Sequence, residues 1–315
     1  MLPNFHHPSR QAAADVSNPR TTRRTVSSDE ECGVPSNSLD RALLALERIE
    51  RCHGGLTNSQ VSRALGIATS SCSYILGRLE RRGYLQRDSR SGKYRIGLTT
   101  LALAHGALRG MEFRSLAEPI LYRLVSETGL SASLAVVERG RVLFVDRLES
   151  PQFLKDVVET GSVPGRKSRG PMTQPNQLRR RDLRDIGREL PVHSNAPGKV
   201  ILAHLSQDQV DDIIQEHGLE RCTPRTIVSK GQLMSELEVI RKQGWAFSNE
   251  EQYLGISAIA APTFGYDGEI SAAISLNGNS SDTIWHQASQ IIRIATAAGR
   301  ELTKKLASVT LIQTN

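Results

Sequence analysis

Residues 56–96 read LTNSQVSRALGIATSSCSYILGRLERRGYLQRDSRSGKYRI. Thr57-Asn58-Ser59-Gln60 has the S/T-x-x-E/Q form of a capping box, in which the hydroxyl and the amide satisfy each other's backbone N–H groups, so a helix starts here. Val61, Ala64 and Leu65 lie on one side of it, and Gly66, free to turn left-handed, ends it. A second helix begins near Thr69. Its Cys72, Ile75, Leu76 and Leu79 recur at i, i+3, i+4 and i+7, which makes one apolar stripe. Ser70, Tyr74, Gly77 and Arg81 project from the other side, flanked by Ser73 and Arg78. Gly83 stops the helix, and residues 84–87 and 94–96 pair as strands around a polar tip at 88–93. Two short helices joined tightly, the second showing hydroxyls and arginines outward and followed by a basic hairpin, are the parts of a winged helix-turn-helix.

Charge points the same way. Residues 38–97 hold eleven Lys or Arg against five Asp or Glu, within a chain of 315 residues whose net charge is +7. A basic module of this size suits phosphate neutralisation. A helical hairpin with a merely solvated basic face would explain any one of these features, but not all of them in this order. On this reading Ser70, Ser71, Ser73 and Tyr74 face bases, and Arg78, Arg81, Arg90 and Lys93 mainly meet phosphates. The partner is a double-stranded DNA operator.

With SLDRALLALERIE before it and IGLTTLALAHGAL after it, the stretch resembles the winged helix-turn-helix of the IclR family of bacterial transcriptional regulators. The resemblance runs over residues 37–306. Most relatives carry an Arg where Tyr74 stands here, so it implies a different operator preference.

Other classes are excluded by composition. No run approaches the ~18 apolar residues of a membrane span, and the polar MLPNFHHPSR is not a signal peptide. Cys32, Cys52, Cys72 and Cys222 show no C-x-x-C spacing, so neither a zinc site nor a disulfide framework is expected, and no cofactor. The protein is expected in the cytoplasm, associated with the nucleoid. G-x-S-x-G, H-E-x-x-H, P-loop and G-x-G-x-x-G motifs are all absent, and the adjacent Glu250 and Glu251 make a poor acid/base pair, so the chain does not read as an enzyme.

Taken in order, residues 1–36 read as a disordered arm whose Arg20, Arg23 and Arg24 are available to phosphates. The DNA-binding domain spans 37–97. Ser38 is expected to cap its first helix, with Leu39, Ala42, Leu43, Leu46 and Ile49 on the packed face. Cys52 and Cys72 are read as core filling. A linker helix at 98–112 is apolar over much of its circumference (Leu98, Leu101, Ala102, Leu103, Ala104, Ala107, Leu108), which calls for a second copy of itself and hence a homodimer or homotetramer. The third domain, 113–309, opens with a helix at 115–127 and a hairpin of strands at 132–137 and 142–148. Residues 161–188 depart from the family as a basic insertion, GSVPGRKSRGPMTQPNQLRRRDLRDIGR, expected to be a mobile surface loop. Helices follow at 207–216 and 230–243, the latter behind Ser229-Lys230-Gly231-Gln232, again in capping-box form. Strands at 258–264 and 269–276 precede a final helix from Ser281. The order gives an α+β class with an antiparallel sheet covered by helices.

ELPVHSNAPGKVILAHL (189–205), together with Thr223, Thr226 and IRKQGWAFSNEEQYLGISAIAAPTF (240–264), resembles the two signature regions of the family's effector-binding domain. The resemblance implies a GAF-like domain holding a small metabolite, an organic acid or an aromatic compound. Carried over by position, the pocket is lined by Asn195, Ala196, Pro197, Ser248, Ala258, Ser275 and Asn277. Relatives that bind small oxoacids have an Asp at the place of Ser248 and a Cys at that of Ala258, so that ligand does not transfer. The turn at 195–198 opens a helix whose free N–H groups suit a polar or anionic ligand, with Lys199 beside them. His193 reads as a structural histidine. The whole is expected to be a ligand-responsive regulator, a repressor among other options, on a palindromic operator. The alternatives are an architectural DNA-binding protein with a non-sensing C-terminal domain, or an enzyme acting on a small molecule in the effector pocket.

Overall fold

The structure, a computed structural model, describes residues 37–52, 54–151, 186–187 and 189–313. The arm at 1–36 and nearly all of the basic insertion at 161–188 lie outside the described residues. The chain forms two compact units, Met1–Leu101 and Ala102–Asn315.

In the first unit, α1 (Ser38–Arg51) is capped by Asn37 rather than Ser38. The Asn37 amide oxygen accepts from the N–H groups of Leu39 and Asp40, both at 2.9 Å, and its Nδ2 donates to the Asp40 carboxylate at 2.7 Å. Asn holds two local partners at once, which a Ser hydroxyl one residue later does not match. The packed face of α1 is also turned from the expected one. Ala45 and Ile49 are buried with Leu44 and Leu46 at the edge, whereas Leu39 and Leu43 are exposed. Cys52, past the last turn, is exposed, while Cys72 fills the core.

The helix α2 (Asn58–Leu65) carries the capping box in full: Thr57 Oγ1 accepts from Gln60 N at 3.3 Å, and Gln60 Oε1 accepts from Thr57 N at 2.9 Å. Gly66 closes it with φ 63°, in the left-handed region. Val61 and Leu65 are buried but Ala64 is exposed. The second helix of the motif, α3 (Thr69–Arg81), buries Cys72, Ile75 and Leu76. The wing strands β1 (Leu85–Arg87) and β2 (Tyr94–Ile96) pair antiparallel, Gln86 opposite Arg95. Ala45, Ile49, Val61, Leu65, Cys72, Leu76, Leu85 and Tyr94 make the small core of this unit. Next comes α4 (Thr99–Arg109), none of whose residues is buried within the chain.

The second unit is a six-stranded antiparallel sheet with helices on both faces, the α+β arrangement expected. Its helix α5 (Glu112–Thr128) leads into β3 (Ser131–Glu138) and β4 (Arg141–Leu148), joined by Arg139 and Gly140 with φ of 48° and 68°. Two successive left-handed residues match the twist of a tight hairpin. The remaining strands are β5 (Glu189–Pro191), β6 (Ala246–Asn249), β7 (Ile256–Phe264) and β8 (Ile270–Asn279), in the order β5-β4-β3-β8-β7-β6. On one face, α5 and the long α9 (Ala288–Gln313) pack over Leu134, Val145, Ile259, Ile274 and Leu276. A short 3₁₀ turn (Thr283–Gln287) precedes α9, so that helix begins later than Ser281.

The opposite face carries α6 (Ala196–Leu202), behind the 3₁₀ turn Val192–Ser194. Around it stand α7 (Gln207–His217), whose capping box is Ser206 with Gln209, and α8 (Lys230–Gln243). The capping-box spelling before α8 is not used. The Ser229 side chain makes no cap bond; its carbonyl accepts from Leu233 N at 2.9 Å instead. At Gly198 a Cβ would stand 2.1 Å from the Val192 carbonyl oxygen, so only glycine lets α6 press this closely on the turn before it.

Candidate nucleic-acid interface and effector site

The first candidate surface belongs to the first unit. The start of α3 is fixed from behind: Ser62 Oγ donates to Ile67 O at 2.7 Å, Asn58 Nδ2 to Thr69 O at 3.2 Å, and the Cys72 thiol to Asn58 O at 3.6 Å. With the buried stripe turned inward, Ser70, Ser71, Ser73, Tyr74, Arg78 and Arg81 all face solvent. Tyr74 is 62% exposed. Its hydroxyl accepts from Arg78 Nε at 3.2 Å, and the guanidinium carbon lies 5.4 Å from the ring centroid. Arg81 Nε donates back to Gly77 O at 3.3 Å.

In the wing, Asp88 Oδ1 accepts from the N–H groups of Arg90 at 2.9 Å and Ser91 at 3.4 Å. Asp88 N donates to Lys93 O at 2.9 Å. The N–H of Arg90 is the main cause holding the Asp88 carboxyl below its ordinary pKa, so the tip stays tied across the neutral range. Arg90 is exposed and Lys93 half-buried at this tip. Arg87, which the sequence reading did not single out, sits over the Tyr94 ring at 5.6 Å.

The second candidate site lies on the α6 side of the large sheet. Ser248, Ala258 and Asn277 stand opposite one another across β6, β7 and β8, and Asn277 stands opposite Ser131 on β3. The next row on the same face runs Ala246, Ala260, Ser275, Ser133. Ser133 Oγ and Ser275 Oγ are 2.8 Å apart. Asn195, the N-cap of α6, lies nearby: Ser248 Oγ donates to the carbonyl of its neighbour Ser194 at 3.4 Å. The fold thus gathers all seven positions carried over from the resemblance onto one sheet face and the turn above it.

The turn itself differs from the expectation. All seven residues of α6 are buried, Asn195 Oδ1 takes the Gly198 N–H at 2.9 Å, and Pro197 has no N–H to give. Asn195 Nδ2 is held by Pro191 O at 2.8 Å, and Gln252 Oε1 receives both it and the Ser194 hydroxyl. Lys199 is also not free. Its Nζ reaches Glu251 Oε1 and Phe247 O at 2.8 Å and Glu236 Oε1 at 3.2 Å, with its side chain 1% exposed. Burial raises the pKa of the Glu251 carboxyl against the pull of Lys199. Asn277, on the same face, is 6% exposed.

The sequence reading missed several groups here. Ser131 and Ser133 alternate with Ala132 and Leu134, a period-two signal that was available in SASLAVVE. Ser131 Oγ donates to Glu149 Oε2 at 2.6 Å, and Arg147 Nε meets Glu149 Oε1 at 2.6 Å. Gln252 carried no signal of its own. His193 is buried with Nε2 3.0 Å from Glu220 O, and burial is the main cause lowering its pKa.

Among the described residues, no cluster of three or more His, Cys, Asp or Glu is arranged to hold a metal, and no helix is long and apolar enough to cross a membrane.

Comparison with known proteins identifies both units. Residues 38–89 match the IclR helix-turn-helix domain, and residues 173–304 match the C-terminal domain of the bacterial transcriptional regulator IclR, together more than half of the chain. The Transcriptional repressor IclR of Escherichia coli (strain K12) is 27% identical over 243 residues, 76% of this chain and 79% of that protein. The HTH-type transcriptional regulator BhcR of Paracoccus denitrificans (strain Pd 1222) is 28% identical over 260 residues, 82% of this chain and 83% of that protein. In fold the chain is similar to an IclR homolog from Microbacterium hydrocarbonoxydans crystallised in complex with 4-hydroxybenzoate. The TM-score is 0.64 at 21% identity, covering 86% of this chain and 100% of that one. A winged helix-turn-helix followed by this sheet, matched by family in both parts, means that the chain belongs to the IclR family of bacterial transcriptional regulators.

Proposed function

We propose that the protein is a ligand-responsive regulator that binds a palindromic operator as a dimer or tetramer and changes its DNA affinity when a small metabolite occupies the α6 face of the sheet. The observation that carries this reading is the polar patch made by two neighbouring rows, Ser248, Asn277 and Ser131 in one and Ser275 and Ser133 in the next, beside Ala258, Ala246 and Ala260. A ligand lying against this face meets hydroxyls and an amide in an otherwise apolar setting, and each hydrogen bond it makes there adds to its affinity. Residues 37–97 serve as the DNA-binding domain, 98–112 as the linker and 113–309 as the sensor. An operator on the bacterial chromosome places the protein in the cytoplasm, on the nucleoid. One of the two named relatives is a repressor, which favours repression here.

A bound ligand alters operator affinity only through unequal affinity for two states of the protein, with a coupling of typically 5- to 150-fold. Duplexes enriched from a random pool by the full-length protein supply the operator, and a panel of organic acids beginning with 4-hydroxybenzoate supplies the probes. One of them is expected to shift operator affinity within that range. Ser275→Leu, which places a larger side chain in this polar patch, is expected to leave ligand-free binding near normal and to abolish the shift. A full response by Ser275→Leu at the wild-type ligand concentration would move the pocket elsewhere.

The dimer is assigned to α4 and the residue before it, where Leu98, Leu101 and Leu103 are 83%, 67% and 59% exposed in the single chain. Three large apolar side chains exposed within six residues are what a second copy covers. Leu101→Glu should give folded monomers in sedimentation, with operator affinity falling about 10²-fold or more as bivalent engagement is lost. An intact dimer carrying Glu at 101 would place the interface elsewhere.

A further inference from the structure

We infer that Tyr74 and Arg78 act as one recognition unit, in which Tyr74 is the positioning residue and the Arg78 guanidinium reads a guanine edge in the operator. The inference rests on the DNA-binding reading above and reverses the simpler division in which Tyr74 reads bases and Arg78 meets phosphate.

The two residues are four apart on α3, so they stand one above the other on the exposed face. Arg has no acceptor, so the 3.2 Å contact is Nε–H donating to the Tyr74 oxygen. The guanidinium also lies 5.4 Å from the ring centroid, within the range of a cation–π contact. Two attachments to one side chain remove much of the rotational freedom that a solvent-exposed arginine otherwise loses on binding. Once Nε is used, the Nη1 and Nη2 groups remain as a planar fork of donors. The Tyr74 oxygen, its acceptor side occupied, is left to donate its own proton.

The pair therefore presents donors and no free acceptor. In the major groove that pattern fits an edge that offers only acceptors, and guanine with O6 and N7 is the base that does so side by side. Adenine puts an amino group beside N7 and is mismatched. A phosphate would also accept the fork, but a phosphate contact needs no fixed orientation, and a mobile arginine serves it equally well. The surrounding cations sharpen the contrast. Arg81 is tied to a backbone carbonyl of its own helix, and Arg87 to the wing tyrosine, whereas Arg78 is held by an exposed side chain in the middle of the recognition face. Tyr74 has no part in the core, so its placement has no packing explanation.

The test uses the full-length protein and duplexes enriched from a random pool, with each variant measured against operators altered one base pair at a time. The wild type is expected to demand guanine at one position of each half-site. Arg78→Ala should flatten that position by roughly 5- to 150-fold while the other positions keep their preferences. Tyr74→Phe, which keeps the ring and loses the hydroxyl, should retain the guanine preference with discrimination reduced about 2- to 10-fold. Tyr74→Leu should lose it as fully as Arg78→Ala. Adding Tyr74→Leu to Arg78→Ala should cost nothing more at that position, since a positioning residue has no effect once the group it positions is gone. Both side chains are exposed, and circular dichroism checks that each variant folds. If Arg78→Ala weakens every sequence equally and lowers the salt dependence of binding by about one counterion, the guanidinium meets phosphate and the inference falls while DNA binding stands. If the wild type enriches no sequence and shows no salt-dependent binding to duplex DNA, the DNA-binding reading falls and takes this inference with it.

Discussion

The two units handle polar side chains in opposite ways. In the first, the core is Ala45, Ile49, Val61, Leu65, Cys72, Leu76, Leu85 and Tyr94, and the α3 side chains proposed to meet DNA stand in water. In the second, Lys199, Ser133, Ser275, Glu149 and His193 are all buried and bonded within the unit. An exposed polar group costs nothing to keep and waits for an external partner; a buried one must be satisfied internally or by a ligand. Substitutions of polar residues should therefore destabilise the second unit and mainly change binding in the first. Both tryptophans, Trp245 and Trp285, lie in the second unit, so their fluorescence follows its unfolding alone, while circular dichroism follows both.

The largest effect is expected at Lys199. Lys199→Met keeps much of the volume and removes the ammonium, leaving Glu251 buried without its cation. Breaking a buried ion pair from one side costs on the order of 3–5 kcal/mol, and the tryptophan-monitored urea midpoint should fall accordingly. The pH dependence has a definite sign. Burial already raises the Glu251 pKa, and without Lys199 nothing of comparable size opposes it. The folded state then holds the Glu251 proton up to a higher pH than the unfolded chain does, so stability falls as pH rises above the ordinary carboxylate range. The midpoint of Lys199→Met is expected to approach the wild-type value at pH 5 and to lie furthest below it at pH 8. Midpoints that match the wild type at both pH values would mean that this buried network is not structural, and the contrast between the units would lose its main support.

That contrast also accounts for what could be read from the sequence. The helix-turn-helix was legible because its information is local: Thr57 meets Gln60 three residues on, Gly66 closes the helix, and the stripe Cys72, Ile75, Leu76 shows the period of a helix. Caps were read less well where two candidates adjoin, as Asn37 and Ser38 do, or where the spelling is present and the hydroxyl is turned away, as at Ser229. The short strands β5 and β6, of three and four residues, are too brief to show an alternation. The effector face was named only through resemblance. Its bonds join residues far apart in the chain, Ser133 to Ser275 and Lys199 to Glu251, and no window of sequence contains both partners. The turn at 195–198 misled for a related reason: its donors are spent on Asn195 and its place is deep in the unit, neither of which a turn motif reveals.

A smaller effect is expected at Thr57. Thr57→Ala removes the hydroxyl that accepts from Gln60 N and half of the capping box. The cost should be about 1 kcal/mol, visible in the circular-dichroism transition of the first unit. The tryptophan-monitored transition should not move. A shift in that signal would show that the units do not unfold independently, and their comparison would need to be made on the whole chain.

The smallest effect, and the sharpest test of polar groups that only await a partner, concerns Lys93 at the wing. The Lys93 backbone carbonyl accepts from Asp88 N, so the main chain holds the tip whatever the side chain is. Asp88 stays ionised and keeps its two backbone donors, since the cause of its lowered pKa is Arg90 N rather than any lysine. Lys93→Ala should therefore leave both unfolding transitions unchanged within error. Against DNA, one phosphate contact fewer releases one condensed counterion fewer, so the slope of log K against log salt should become less steep by about 0.9. The loss should be the same for enriched and random duplexes, because a phosphate contact carries no sequence information. A loss confined to enriched duplexes would make Lys93 a base reader. An unchanged slope would take the wing tip off the DNA altogether, leaving the exposed cations of α3 to supply the electrostatic contacts.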